Sequence, residues 1–214
     1  MDLSRNLHVL PPTNALRTRL AVLRSTFTTS SAFREAALQI GRMLAERALE
    51  EHPAVVLGVS TPVENTFELA FPERSAALVP ILRAGNALVE PFCELLPNPS
   101  VWHVGMSRDH ETKRPRVYSN AIPKEVPPTK TCYVLDPMLA TGGSAEEAVR
   151  LLAEGGASKV VFVGIVGAPE GVRRLHGTYP DVPVYLAALD RCLNDDAYIL
   201  PGLGDFGDRY YNSL

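Results

Sequence analysis

The sequence predicts an α/β fold, a central and mostly parallel sheet with helices on both faces. From residue 76 onward, short apolar and β-branched runs alternate with stretches of helical periodicity, and such alternation builds a parallel sheet with helical connections. Within that pattern, residues 131–154 read as strand, glycine-bearing turn and helix in immediate succession. Size fits as well: 214 residues, 46% of them hydrophobic, suffice for one domain with a full core.

Residues 1–30 read as irregular apart from a short helix over 15–24. Residues 32–51 place Phe33, Ala37, Ile40, Leu44 and Ala48 at helical spacing, an amphipathic helix. A strand over 76–82, a helix over 86–96 and a strand over 101–106 follow. Residues 107–128 are polar, proline-rich and too long for a simple connection, which predicts a mobile functional loop. Next come a strand over 131–135, a helix over 145–154, a strand over 159–166, a short helix over 170–175 and a strand over 182–189. The tail, 190–214, carries Pro201, Gly202, Gly204 and Gly207 and reads as loop. The expectation is one domain over 1–214, with a helical N-terminal region (1–75), a core (76–189) and a tail (190–214).

Composition removes several function classes. Twenty-one basic against 24 acidic residues give a net charge of −3, which argues against a nucleic-acid partner. No apolar run suggests a signal peptide or a membrane span. Cys93, Cys132 and Cys192 are an odd set without Cys-x-x-Cys spacing. They predict reduced thiols in a cytoplasmic protein rather than a disulfide frame or a zinc site. Cys132, inside a strand, reads as core. His103, His110 and His176 form no metal-ligand pattern.

The residues that carry chemistry are Asp136-Pro137-Met138-Leu139-Ala140-Thr141-Gly142-Gly143-Ser144, between a strand and a helix. A tight loop at a helix start aims backbone N–H groups and positive partial charge at an anion. Thr141 and Ser144 add hydroxyl donors. Asp136 would repel a bare phosphate but accepts hydrogen bonds from sugar hydroxyls, so a ligand combining ribose and phosphate fits best. No Gly-Lys-Ser/Thr closes the motif, which excludes a kinase-type P-loop. Ser144 and Glu147 also fit a capping box, a purely structural use of Ser144. Gly202-Leu203-Gly204-Asp205-Phe206-Gly207 matches a dinucleotide fingerprint by letter, but the chain left after it is too short for the helix and strand that fingerprint needs. In parallel sheets ligands bind at the carboxyl ends of strands. The Arg83 loop, Arg108, the Asp136 loop and the Ala168-Pro169-Glu170 turn all follow strands, so they can converge.

The 136–144 loop resembles the ribose-5-phosphate loop of the type I phosphoribosyltransferases, in the wording of the family that uses uracil. There Pro137 replaces a second acidic residue. Val79-Pro80-Ile81-Leu82-Arg83-Ala84-Gly85, Gly105-Met106-Ser107-Arg108, Ala168-Pro169-Glu170-Gly171 and the stretch from Tyr198 to Asp208 match the same family, in order, over roughly residues 76–211. The resemblance implies a type I phosphoribosyltransferase-like fold with a mobile loop and a C-terminal base-binding loop. The implied reaction is uracil plus 5-phosphoribosyl-1-pyrophosphate (PRPP) giving UMP and pyrophosphate. Arg83, Ala84, Gly85 and Arg108 would hold pyrophosphate, with a cis peptide in the Arg83 loop. Asp136 would hold ribose hydroxyls and residues 139–144 the 5-phosphate, with Pro137 and Met138 also in the donor site. Arg108 and Asp136 would be the catalytic positions. Ile199, Gly204 and Phe206 would bind uracil through the main chain, where relatives commonly have Ala in place of Phe206, and Asp205 would border both uracil and donor. Mg²⁺ would arrive on the donor, without a protein metal site. A homodimer or higher homo-oligomer, and activation by GTP as in some relatives, are further implications. Two other readings are a sister enzyme for another base and a catalytically silent, UMP-sensing RNA-binding regulator. The terminal loop argues against the first and the net charge against the second.

Overall fold

A computed structural model describes residues 6–108 and 115–213. Its main sheet runs in the order β1 (Leu7–Val9), β11 (Val184–Leu189), β10 (Lys159–Gly167), β8 (Thr131–Leu135), β4 (Ala76–Leu82), β6 (Val104–Arg108) and β7 (Pro115–Asn120). Every pairing along this path is parallel except β6 with β7. Two short strands join it: β5 (Ser100–Val101) on β4, and β9 (Met138–Leu139) on β10.

The central strands are buried on both faces, which is why they read as continuous apolar runs. Along β8 the side chains alternate. Tyr133 and Leu135 join the core beneath α2 (Ser30–Leu49) and α3 (Val89–Cys93). Cys132 and Val134 join the core beneath α4 (Gly143–Glu154) and α5 (Pro169–Thr178). Pro80 is tolerated inside β4 because β5 pairs at Ala77 and Leu78 and β6 only from Ile81. The missing N–H falls between the two ladders. Thr29 caps α2 by accepting from Ala32 N–H, and Phe33, Ala37, Ile40, Leu44 and Ala48 are all buried, as their spacing requires.

Several expectations are corrected. The region 1–75 is not helical throughout. Besides α1 (Asn14–Arg24) and α2 it holds β1 and a separate antiparallel hairpin, β2 (Val55–Ser60) with β3 (Asn65–Ala70). The helix expected over 86–96 is a 3₁₀ turn, Ala84–Leu88, followed by the short α3. The 107–128 segment is not a single loop, because β7 lies within it and pairs with β6. The tail contains a small ladder, β12 (Cys192–Leu193) with β13 (Ile199–Leu200), and α6 (Phe206–Tyr211). The Asp205 carboxylate caps α6 by accepting Asp208 N–H, a local bond that outweighs the glycine content. All three cysteines are unpaired, and burial pushes the Cys132 thiol up to about 12, in keeping with a core residue. Among the described residues, no helix is long and apolar enough to cross a membrane.

Candidate active site

Asp136 follows the last residue of β8. Its N–H donates to Val163 O at 3.1 Å, and the Pro137 carbonyl accepts from both Ile165 and Val166 N–H, so the loop is tied to β10 from its first residue. Gly142 caps α4 with φ +78°, and a Cβ there would lie 2.6 Å from the Gly171 carbonyl oxygen. Only glycine suits both constraints. The helix begins at Gly143, so the N–H groups of its first turn have no helical partner. The capping box expected from Ser144 and Glu147 does not form. Ser144 lies inside the first turn rather than at the cap, and Glu147 accepts two bonds from Arg150 at 2.7 and 2.9 Å. The residues from 138 to 145 instead curve around a cavity of about 320 Å³, closed by Asp136, Ala84 and residues 205–207.

A second cavity of about 300 Å³ adjoins it and shares Met138, Ala140, Asp205 and Phe206. Ile199 and Gly204, two of the positions expected to bind a base, line it. Phe206 is 2% exposed; its ring meets Phe33 edge-on at 5.2 Å and stacks on Tyr210 at 5.5 Å. The ring is committed to the core. Asp196, Ala197 and Tyr198 also line this cavity and escaped the sequence reading. The available clue was the turn-forming run Asn194-Asp195-Asp196 just before Ile199. Asn194 holds that turn by accepting Tyr198 N–H on its side chain at 2.8 Å.

Arg83 stands at the end of β4, joined to Leu82 by a cis peptide bond. Its guanidinium is 3.4 Å from Asp208 and 5.9 Å from the centre of the Tyr211 ring, and the Tyr211 hydroxyl donates to the Arg83 carbonyl at 3.0 Å. Ala84 lines the first cavity, and Gly85 is buried behind it. Arg108 closes β6, but its side chain, with His110, Lys113 and Arg114, lies outside the described residues. Asp136 is half-buried. Burial pushes its carboxyl up to about 7, and the Met138 N–H, 3.4 Å away, offsets part of the rise.

A parallel sheet with helices on both faces, whose strand ends carry a glycine-bearing loop and whose tail closes an adjoining cavity, belongs with the type I phosphoribosyltransferases. The adenine phosphoribosyltransferase of Trypanosoma brucei shares this fold, with a TM-score of 0.58 at 16% identity over 94% of this chain and 88% of that one. The likeness narrows further. Residues 9–213 match the model of the uracil phosphoribosyltransferase family, so the match includes the N-terminal segment upstream of the motifs. The uracil phosphoribosyltransferase of Roseiflexus sp. (strain RS-1) is 47% identical over 195 residues, 91% of this chain and 93% of that protein. The AQ2163 protein of Aquifex aeolicus has a TM-score of 0.86 at 33% identity, covering 96% of this chain and 97% of that one. The chain belongs to the uracil phosphoribosyltransferase family.

Proposed function

We propose that this protein transfers the phosphoribosyl group of PRPP to uracil, giving UMP and pyrophosphate. The observation that carries this reading is the pair of joined cavities, one built on the Asp136–Ser144 loop and one on the terminal loop, with Met138, Ala140, Asp205 and Phe206 common to both. A nucleoside monophosphate has that division into phosphoribose and base. The bond from ribose C1 to pyrophosphate breaks, uracil N1 bonds to C1, and N1 loses its proton. Catalysis is then positioning and charge stabilisation. The first-turn N–H groups of α4, with Thr141 and Ser144, hold the 5-phosphate, and Asp136 accepts from ribose hydroxyls. Arg83 and Arg108 offset charge on the leaving pyrophosphate. Main-chain groups at Ile199, Gly204 and Phe206 read the uracil edge.

The chemistry of the cavity fits Mg²⁺ carried by the donor. Two carboxylates, Asp136 and Asp205, line it, and Mg²⁺ binds through one or two carboxylates together with substrate oxygens and water. When bound, the ion would neutralise developing pyrophosphate charge. The three unpaired cysteines support a cytoplasmic location. The β2–β3 hairpin supports a homodimer, because it exposes Val56, Phe67 and Leu69, and a two-stranded ribbon is marginal alone. One assay tests the activity: pyrophosphate release from PRPP should require uracil. Release independent of uracil, or none, contradicts the proposal.

A further inference from the structure

Helix α1 contributes no residue to either cavity, yet its last residue reaches the tail that closes the base side. Arg24 Nη1 and Nη2 donate to the two carboxylate oxygens of Asp190, each at 2.7 Å, and Nη1 also donates to the Gly202 carbonyl at 2.7 Å. Asp190 accepts the Gly202 N–H at 2.9 Å. One ion pair therefore holds Gly202 at both its N–H and its C=O. The anchor is itself fixed, since Asp190 N–H donates to Gly167 O at the end of β10 and Asp190 is buried. A two-bond arginine–carboxylate pair in a largely dry place sets geometry as well as charge. Gly202 has φ +61°, and a Cβ there would lie 2.1 Å from the Ile199 carbonyl oxygen, so the bend between Ile199 and Gly204 admits few alternatives.

A second arginine closes the clamp from the other side. Arg209 of α6 donates to Leu203 O at 2.6 Å, to Ser25 O at 2.5 Å and to Leu23 O, with its guanidinium 4.5 Å above the Phe33 ring. Segment 199–204 is thus bound twice to the C-terminal end of α1. Main-chain recognition has no rotamers with which to adjust, so the placement of this segment decides which hydrogen bonds a base can make.

We propose that Arg24, acting through Asp190 and Gly202, is the positioning residue for the uracil-reading main chain, and that the N-terminal helix serves base recognition rather than the phosphoribosyl half of the site. This rests on the reading that residues 199–206 bind uracil. The test uses the full-length enzyme with Arg24→Ala and Arg24→Lys. Lysine leaves Asp190 a charged partner and so protects folding, but it cannot make the paired bonds to the carboxylate and reach the Gly202 carbonyl together. The measurements are KM for uracil, the rate ratio of uracil to cytosine, and the Kd of PRPP without base, with folding checked by thermal melting. Arg24→Ala should raise KM for uracil tenfold or more and lower the uracil to cytosine ratio. PRPP affinity should stay within about threefold of wild type, and Arg24→Lys should fall in between. Equal weakening of uracil and PRPP, or an unchanged KM for uracil in folded Arg24→Lys, would overturn the positioning role while wild-type turnover leaves the enzymatic reading intact. A wild-type protein without uracil-dependent pyrophosphate release would overturn that reading and the proposal with it.

Discussion

Asp136 sits where function and stability oppose each other. Its carboxyl, ordinarily near 3.8, is raised to about 7 because burial disfavours the charge. An acid whose pKa rises on folding weakens the fold as pH climbs past the unfolded value, and the full cost is present above the folded one. Asp136→Asn should therefore melt at a higher temperature than wild type at pH 8, with the gap closing toward pH 4. Equal melting temperatures at pH 8 would contradict the raised carboxyl. In the proposed role the charged form accepts ribose hydroxyls, so PRPP affinity should rise as pH passes about 7, and the variant should lose most of that rise. At pH 8 it should bind PRPP more weakly by about 1.5–3 kcal/mol, the worth of a charge-assisted hydrogen bond, measured by titration calorimetry. Phe206 makes the complementary case. Its ring is core, so Phe206→Ala would leave a cavity costing about 3–5 kcal/mol, and Phe206→Leu is the gentler probe. Phe206→Leu should lower the melting temperature yet leave the preference for uracil over cytosine unchanged, because in the proposed role the main chain, and not this ring, reads the base.

At the scale of elements, legibility followed burial. β4, β8 and β10 are covered on both faces and wrote themselves as apolar runs, and α2 wrote its buried stripe at helical spacing. The β2–β3 hairpin left no such trace, because both its faces are largely exposed and burial imposes no period of two. The strands of the tail are two residues long, too short for any pattern. The site divides in the same way. The Asp136–Ser144 loop was legible because a tight turn from strand into helix, with Gly142 left-handed, needs particular small residues. Residues 196–198 were not, because the turn that carries them is held by Asn194 and imposes no pattern on their own side chains. Gly142 is the element-level test. With φ +78° and a Gly171 carbonyl oxygen 2.6 Å from a would-be Cβ, Gly142→Ala should cost at least about 1–2 kcal/mol from the left-handed conformation alone. Because that residue caps α4 where the phosphate is proposed to bind, ribose 5-phosphate affinity should fall together with the melting temperature. An alanine variant with wild-type affinity would show that the α4 start does not hold the phosphate.

For the molecule as a whole, the sheet sets the Asp136–Ser144 loop and the tail side by side at the carboxyl ends of the strands, while the hairpin projects apolar side chains outward. Phe67 is 77% and Leu69 72% exposed, more apolar surface than a lone two-stranded ribbon accounts for. Sedimentation should find a homodimer, and Phe67→Glu combined with Leu69→Glu should shift it to monomer; a monomeric wild type would remove the hairpin from that role. In the proposed reaction the joined cavities bring the phosphoribosyl group against a base read by fixed main-chain groups. Cytosine reverses the hydrogen-bonding sense at two positions of the edge that uracil presents, leaving buried polar groups unpaired, whereas fluorine at C5 alters no required bond. The most direct measurement is the rate of pyrophosphate release from PRPP with uracil, 5-fluorouracil and cytosine. The expected result is comparable turnover with the first two and a rate lower by roughly 10⁴-fold or more with cytosine, the discrimination a hydrogen-bonding site can reach. Comparable rates with cytosine and uracil would contradict the claim.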